Sequence, residues 1–280
     1  MNNYLILKNG YQMPILGLGT YNLDKTLAKE LIMKALKLGY RHLETAPIYL
    51  NEEAIGQAIK ASGVDRHQIF ITSKIPPHIK NFQSALRFAE KSMKNLGVDY
   101  LDALLINNPV PWGEEGKDYS KENLEVWQAL EKLYADERVG SIGVSNFSVE
   151  DLQQLLPYVQ VVPHINQLGI FVGHTLDDLR SFCRYHHIII QGHSPLARGR
   201  IFNIHRLHKL ANQYGVSPAQ IALKYVMEKG VCPIVKASSM EHLKENLRLD
   251  FLLSKKSILE LDAIKKDVRD YKPPKAKYIL

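Results

Sequence analysis

An alternation constrains this chain more than any other feature of its sequence. Short apolar stretches, several punctuated by glycine, alternate with longer segments whose apolar residues recur every three or four positions, and the pair repeats eight times. The first unit is ILGLGT (15–20) followed by residues 25–38, where Leu27, Leu31, Ile32 and Ala35 share one helical face that Gly39 closes. RHLET then leads into 51–62, QIFITSK into 81–96, YLDALLIN into 121–135 and SIGVSN into 148–156. VVPHIN leads into 174–186, IIIQGHS into 203–228 and CPIVKA into 240–247. Strands apolar on both sides are buried on both faces, so eight strand–helix units predict an α/β fold of the closed (β/α)8 TIM barrel type in preference to an open sheet. Ahead of the first unit, YLILK and YQMPI flank Asn9-Gly10, a dipeptide that accepts a tight turn, so an N-terminal β-hairpin is expected. The repeat occupies nearly all of the chain, and residues 1–280 are read as one domain.

Composition removes several function classes. No stretch of eighteen apolar residues and no signal-like start occurs, so the expectation is a soluble, cytoplasmic protein without a membrane partner. The two cysteines, Cys183 and Cys232, fall in segments that read as an apolar helix and an apolar strand, which points to core thiols and not to a disulfide. The net charge is +7, yet the basic residues are interleaved with acids on helical faces; an anionic small ligand is expected, and no nucleic acid. Among eleven histidines, His186-His187 and the His205/His208 pair invite a metal hypothesis, but no HExxH or Cys/His ligand spacing accompanies them, so no metal is expected. GLG at 17–19 lacks the third glycine of a dinucleotide fingerprint, and the helix after it begins too late. A monomer is the default expectation.

In a barrel of this type the chemistry sits where strands meet the following helices. The polar residues at those ends are Thr20, Glu44, Lys74, Asn107, Ser145 with Asn146, Asn166 with Gln167, His193 with Ser194, and Lys236. Each taken singly reads equally as a helix cap or a solvated rim residue; as a set they converge on one rim. A tyrosine, a lysine and a carboxylate meeting there would form a proton-transfer device, because an ammonium beside a phenol stabilises the phenolate and lowers a pKa that is otherwise near 10. A neutral donor beside them orients and polarises a carbonyl oxygen. Such a set suits carbonyl reduction, with the hydride coming from a cofactor, since no side chain donates one.

Five blocks carry a resemblance: GYRHLETAPIYLNEEAIG (39–56), FITSK (70–74), GVSNF (143–147), INQ (165–167) and HSPLARG (193–199). In this order they resemble the signature blocks of the aldo-keto reductase superfamily, and the hairpin and short loops look most like the bacterial branch of diketogluconate and methylglyoxal reductases. The resemblance implies a metal-free, NADPH-dependent oxidoreductase that reduces a small aldehyde or ketone. It implies that Tyr49 is the proton donor and Lys74 the residue that tunes it. Two positions depart from the family pattern: Glu44 stands where an aspartate is usual, and Asn107 where a histidine is usual. Glu44 keeps the charge on a longer arm, and Asn107 keeps a donor that cannot titrate, so activity is expected to be weak. Asparagine at this place is similar to the reductase-like β subunits of potassium channels, which bind NADPH and turn over slowly.

For the cofactor the resemblance implies that Ser145, Asn146 and Gln167 hold the nicotinamide carboxamide and that His193 stands in for a stacking tyrosine. It places Ser194, Leu196 and Arg198 at the pyrophosphate, Lys236 and His242 at the 2′-phosphate and Asn246 at the adenine, with Gly19 and Thr20 bordering the same site. With one strong and one weak cation at the 2′-phosphate, NADPH is favoured over NADH. Tyr21, Asn108 and Trp112 are implied for the substrate pocket, Trp112 either reaching it or anchoring its own loop. The tail YKPPKAKYIL (271–280) corresponds to the family's substrate loop. The competing expectation is an NADP(H)-binding sensor or interaction protein with little turnover.

Overall fold

The structure, a computed structural model, describes residues 4–264; the tail at 271–280 lies outside the described residues. A hairpin of β1 (Tyr4–Ile6) and β2 (Gln12–Pro14) precedes eight parallel strands. In chain order these are β3 (Gly17–Gly19), β4 (His42–Glu44), β5 (Phe70–Ile75), β6 (Ala103–Ile106), β7 (Ile142–Ser145), β8 (Ile165–Gly169), β9 (Ile189–His193) and β10 (Val231–Val235). They pair in sequence, and β10 returns to β3 through Ile234 opposite Gly17 and Val235 opposite Leu18, which closes the barrel. The (β/α)8 expectation and the N-terminal hairpin are both met.

The outer layer follows the predicted helices closely. It comprises α1 (Lys25–Leu38), α2 (Glu52–Ser62), α3 (Phe82–Leu96), α4 (Ser120–Ala135), α5 (Val149–Leu155) and α6 (Asp177–Tyr185). Polar caps fix where several begin: Asp24 accepts from the Leu27 amide, Asn81 from Ser84, and Ser148 forms a reciprocal box with Asp151. The segment read as one helix over 203–228 is two, α7 (His205–Tyr214) and α8 (Pro218–Glu228). Gly215 adopts φ +65°, and Ser217 with Gln220 starts a new helix with Pro218 at its first position. The apolar period runs across the break because both helices lie on the same barrel, so periodicity alone does not reveal it. After α9 (Met240–Leu247), a further helix not foreseen, α10 (Lys255–Asp262), completes the described chain.

Two packed regions result. Outward-facing strand residues such as Leu43, Ile71, Leu104 and Val144 meet helix residues such as Ile32, Ile55 and Trp127, all fully buried. Below the barrel, Leu7 and Met13 of the hairpin region seal the floor against Phe70, Leu105, Ile165 and Ile234. Both cysteines are free and buried. No helix among the described residues is long and apolar enough to cross a membrane. With the floor plugged, the open end is the one at which the strands finish in Glu44, Lys74, Asn107, Ser145 and His193.

Candidate active site

Tyr49 closes a single 3₁₀ turn, Pro47–Tyr49, just after β4; the proline fixes the turn's first residue, and the Tyr49 amide donates to Ala46 O at 2.9 Å. That turn brings the phenol back over the end of its own strand. Tyr49 Oη donates to Glu44 Oε1 at 3.1 Å and accepts from Lys74 Nζ at 2.9 Å, while Lys74 Nζ also pairs with Glu44 Oε1. Lys74 and Glu44 are 2% and 3% exposed, so this ion pair works outside bulk water. Tyr21 packs edge-on against the Tyr49 ring, centroids 5.2 Å apart.

Burial dominates the electrostatics here. It pushes Lys74 from its ordinary range down to about 7. It pushes Tyr49 well above the ordinary value, and the neighbouring Tyr21 adds to that. The direction is opposite to the lowering expected from charge alone: burial disfavours the phenolate, and Tyr49 holds its proton at neutral pH. The longer arm of Glu44 still reaches the lysine, and it also captures the tyrosine hydrogen.

Asn107, 7% exposed, is held at the end of β6 by its backbone: its amide donates to Ile75 O at 3.1 Å and its carbonyl accepts from Asn146 Nδ2 at 3.2 Å. Its side-chain amide has no hydrogen-bond partner among the described residues. Asn108 turns away, its Nδ2 donating to Val110 O at 2.7 Å, and Lys80 Nζ clasps the carbonyls of Asn108 and Pro109 at 3.0 and 2.8 Å. The loop carrying Trp112 is thus anchored by Asn108 and Lys80.

Opposite lies a row of amides. Asn146, at φ +61°, spends Nδ2 on Asn107 O and Ser145 Oγ and offers Oδ1 to His193 Nε2 at 3.0 Å. Burial, then the charge on Lys74, pushes His193 down to about 3, so the ring is neutral and Nε2 is the donor. Ser145 Oγ donates to Gln167 O at 3.0 Å, and Gln167 Nε2 to Gln191 Oε1 at 2.8 Å. Beyond His193 the chain runs through left-handed Ser194, Ala197 and Arg198, and Lys236 Nζ reaches across to Asn22 O at 3.0 Å. His242 Nδ1 faces Ser238 Oγ at 3.3 Å, and the buried Asn246 hydrogen-bonds Tyr40.

These groups border one continuous cavity of about 1310 Å³. It exceeds the roughly 300–1,000 Å³ of an ordinary small-molecule pocket, which leaves room for an extended ligand together with a second, small one. Every residue assigned a catalytic, cofactor or pocket place from the sequence lines it except Thr20; of the strand-end set, Asn166 does not line it either, its Nδ2 donating to Phe147 O at 3.0 Å. Thr20 is fully buried and does not line the cavity, its backbone carbonyl accepting from Asn51 Nδ2 at 2.9 Å, and in this it departs from the other residues so assigned. Trp112 lines the cavity as well as belonging to an anchored loop. Sequence reading missed Ile48, beside Tyr49 in its turn, and Phe202, which is 42% exposed. The first was findable from the turn; the second sits where no strand end marks it. Among the described residues no cluster of three His, Cys, Asp or Glu side chains suits a metal ion.

A buried Tyr–Lys–carboxylate cluster and a neighbouring amide row at the open end of a plugged (β/α)8 barrel define a class of protein, and comparison places the chain within it. Residues 15–266 match the Aldo/keto reductase family, and the chain belongs to that family. It is 38% identical over 265 residues to the glyoxal reductase of Bacillus subtilis, covering 94% of this chain and 93% of that protein. It is 34% identical over 265 residues to the methylglyoxal reductase of Yersinia pestis, covering 93% and 92%. The crystal structure of a Bombyx mori aldo-keto reductase in complex with NADP superposes with a TM-score of 0.85 at 29% identity, covering 93% and 92%.

Proposed function

We propose that this chain is an NADP(H)-dependent reductase of small polar carbonyl compounds, with Tyr49 as the proton donor. The observation that carries the reading is the position of Tyr49 Oη, hydrogen-bonded to Lys74 Nζ at 2.9 Å in the cavity that the Asn107 amide also lines. A bound nicotinamide cofactor supplies the hydride. The residues present fit such a group. Amide oxygens and a hydroxyl of Ser145, Asn146 and Gln167 suit a carboxamide, and Arg198, Lys236 and His242 suit phosphates at the far end of the same cavity. Lys236 and His242 favour NADPH over NADH.

The protein's own part is positioning and proton transfer. Asn107 Nδ2 donates to the carbonyl oxygen and polarises it, while Tyr49 gives that oxygen its proton. Lys74 Nζ, already bonded to Tyr49 Oη, steadies the phenolate left behind, and Glu44 steadies the lysine. Tyr21, Ile48 and Trp112 wall the substrate end and limit it to small molecules, and the free Asn107 amide favours polar ones. Short oxygenated carbonyls of the kind named for the glyoxal and methylglyoxal reductases fit this lining.

One observation favours a second reading, a cofactor-binding sensor with little turnover: the Tyr49 hydrogen is engaged by Glu44. Single-turnover oxidation of stoichiometric NADPH by glyoxal, methylglyoxal and larger aldehydes separates the two. The reductase reading expects carbonyl-dependent oxidation that Tyr49→Phe abolishes; no oxidation by any carbonyl, or no effect of the substitution, refutes it.

A further inference from the structure

A line of polar side chains runs down the axis of the barrel, from the cavity to the floor, through an interior that is otherwise apolar. Gln167 Nε2 donates to Gln191 Oε1 at 2.8 Å, and Gln191 Nε2 lies 3.2 Å from Thr72 Oγ1. Thr72 Oγ1 lies 3.0 Å from His42 Nε2, and His42 Nδ1 lies 3.4 Å from the carbonyl of Pro14 in the hairpin plug. Gln191, Thr72 and His42 are fully buried, and Gln167 is 1% exposed.

Two groups with no hydrogen to give fix the sense of the line. Met13 Sδ, 3.2 Å from Gln191, turns Nε2 and not Oε1 downward; Pro14 O lies 3.4 Å from His42 Nδ1 and 3.4 Å from the Cys232 thiol, itself 3.7 Å from Nδ1, and takes the ring hydrogen on Nδ1. Burial pushes His42 down to about 4, so the ring is neutral at pH 7. His42 Nε2 is then an acceptor, and Thr72 spends its hydroxyl hydrogen on it. The Thr72 oxygen is left to accept from Gln191 Nε2, which turns Gln191 Oε1 upward to accept from Gln167 Nε2. Reversing any one amide would set two donors or two acceptors against each other in a site without water, a cost of roughly 1–3 kcal/mol per unmade bond in general. Gln167 Oε1, with no partner among the described residues, is consequently the atom presented to the cavity.

We infer that Gln191 is a positioning residue: through the Thr72–His42–Pro14 line it locks Gln167 with its oxygen toward the cavity, so that the site demands a ligand N–H there, the carboxamide NH2 of the nicotinamide. The inference rests on the reading that a nicotinamide cofactor occupies the cavity. It adds the statement that the discriminating contact is an acceptor on the protein, set from the barrel floor.

The test compares binding of NADPH with that of its reduced 3-acetylpyridine analogue, in which a methyl group replaces the carboxamide NH2, by calorimetry on the full chain. Wild type is expected to bind NADPH about 5- to 100-fold more tightly than the analogue, the general worth of one hydrogen bond to a buried amide oxygen. Gln191→Met, of similar length and without polar atoms, narrows that preference to below about threefold. Gln191→Glu retains it, because a buried protonated carboxyl accepts from Gln167 and donates to Thr72. A purely structural role for Gln191 would weaken both ligands equally and leave the ratio intact, which overturns the proposal. An unchanged ratio in folded Gln191→Met, a lost one in Gln191→Glu, or equal binding of both forms by wild type also overturns it. If Gln191→Met does not fold, Thr72→Val, which removes the acceptor beneath Gln191 at nearly constant volume, must reduce the ratio, and full preference there overturns the proposal. Wild type that binds neither form overturns the cofactor reading itself, and this inference with it.

Discussion

Glu44→Asp is expected to accelerate the enzyme. Glu44 Oε1 touches both Lys74 Nζ and Tyr49 Oη, the latter at 3.1 Å, so the hydrogen that a substrate oxygen needs is directed at a carboxylate. A hydrogen bond to a charged group is worth about 1.5–3 kcal/mol, and that must be given up before Tyr49 faces the cavity. The carboxylate also opposes the phenolate that forms when the proton leaves. Removing one methylene retracts the carboxylate by about 1.5 Å, the rise of one bond. The flexible ammonium of Lys74 is able to follow that retreat, whereas the phenol, fixed by its 3₁₀ turn and by Tyr21, is not. If the whole bond to Tyr49 is relieved, kcat rises by roughly 10- to 100-fold at about 1.4 kcal/mol per decade. The assay is steady-state oxidation of NADPH by methylglyoxal, with 4-deuterated NADPH to verify that hydride transfer limits the rate in both proteins. A rate that stays the same or falls, with Tyr49→Phe inactive, refutes the reasoning: the longer carboxylate would then be adapted to the reaction and not a restraint on it.

Further outcomes follow from the same geometry. Because burial holds Lys74 near 7, kcat/KM is expected to fall as pH rises through about 7 and the ammonium loses its proton; a pH profile checks this, and Lys74→Met should be slow at every pH with no such step. His42 has a folded pKa of about 4, below the unfolded 6.5, so the unfolded chain binds the extra proton between those values. Its contribution to stability is complete above pH 6.5 and is lost as pH falls toward 4, amounting to about 3 kcal/mol; urea midpoints at pH 6.5 and 4.5 should converge in His42→Gln. Gly56 lies where α2 crosses the end of α3, and a Cβ there would sit 2.2 Å from Leu96 O, so Gly56→Ala should cost about 1–3 kcal/mol of unfolding free energy in denaturant titration.

Much of the fold was legible because two periods are written into the chain. Strands such as ALLI and VCPIV are buried throughout and read as short, mostly apolar runs, while α1 and α3 show a single apolar face closed by a glycine. Boundaries were lost where neighbouring elements share one burial pattern, as at the join of α7 and α8. There the serine–proline start with a glutamine three residues on was the signal to use, and it lies in the sequence at 217–220. The rim residues were legible for a geometric reason: a closed parallel barrel delivers every strand end to one opening, so position along the strand substitutes for position in space. Thr20 shows the limit of that rule. β3 ends at Gly19, and Thr20, the next residue, is fully buried with its backbone carbonyl taken by Asn51 Nδ2, so it does not line the opening.

What strand position cannot convey is how a set of side chains shares its hydrogen bonds, and this is where the chemistry is decided. Tyr49, Lys74 and Glu44 were each identifiable, but counting charges suggested a softened phenol, whereas burial, with Tyr21 beside it, hardens it and Glu44 takes its hydrogen. The two amides that end β6 look interchangeable in the sequence. In space Asn108 is consumed by Val110 O, and the carbonyl of Asn107 by Asn146, which leaves the Asn107 side chain as the uncommitted donor facing the cavity. Gln167 presents an acceptor only because Gln191 below it is itself oriented by Thr72 and His42. Several of these polarities are set by partners distant in sequence, Asn146 for Asn107 and Gln191 with Thr72 and His42 for Gln167. A rim residue's identity states which chemistry is available, and the buried partner beneath it selects which end of that residue the ligand meets.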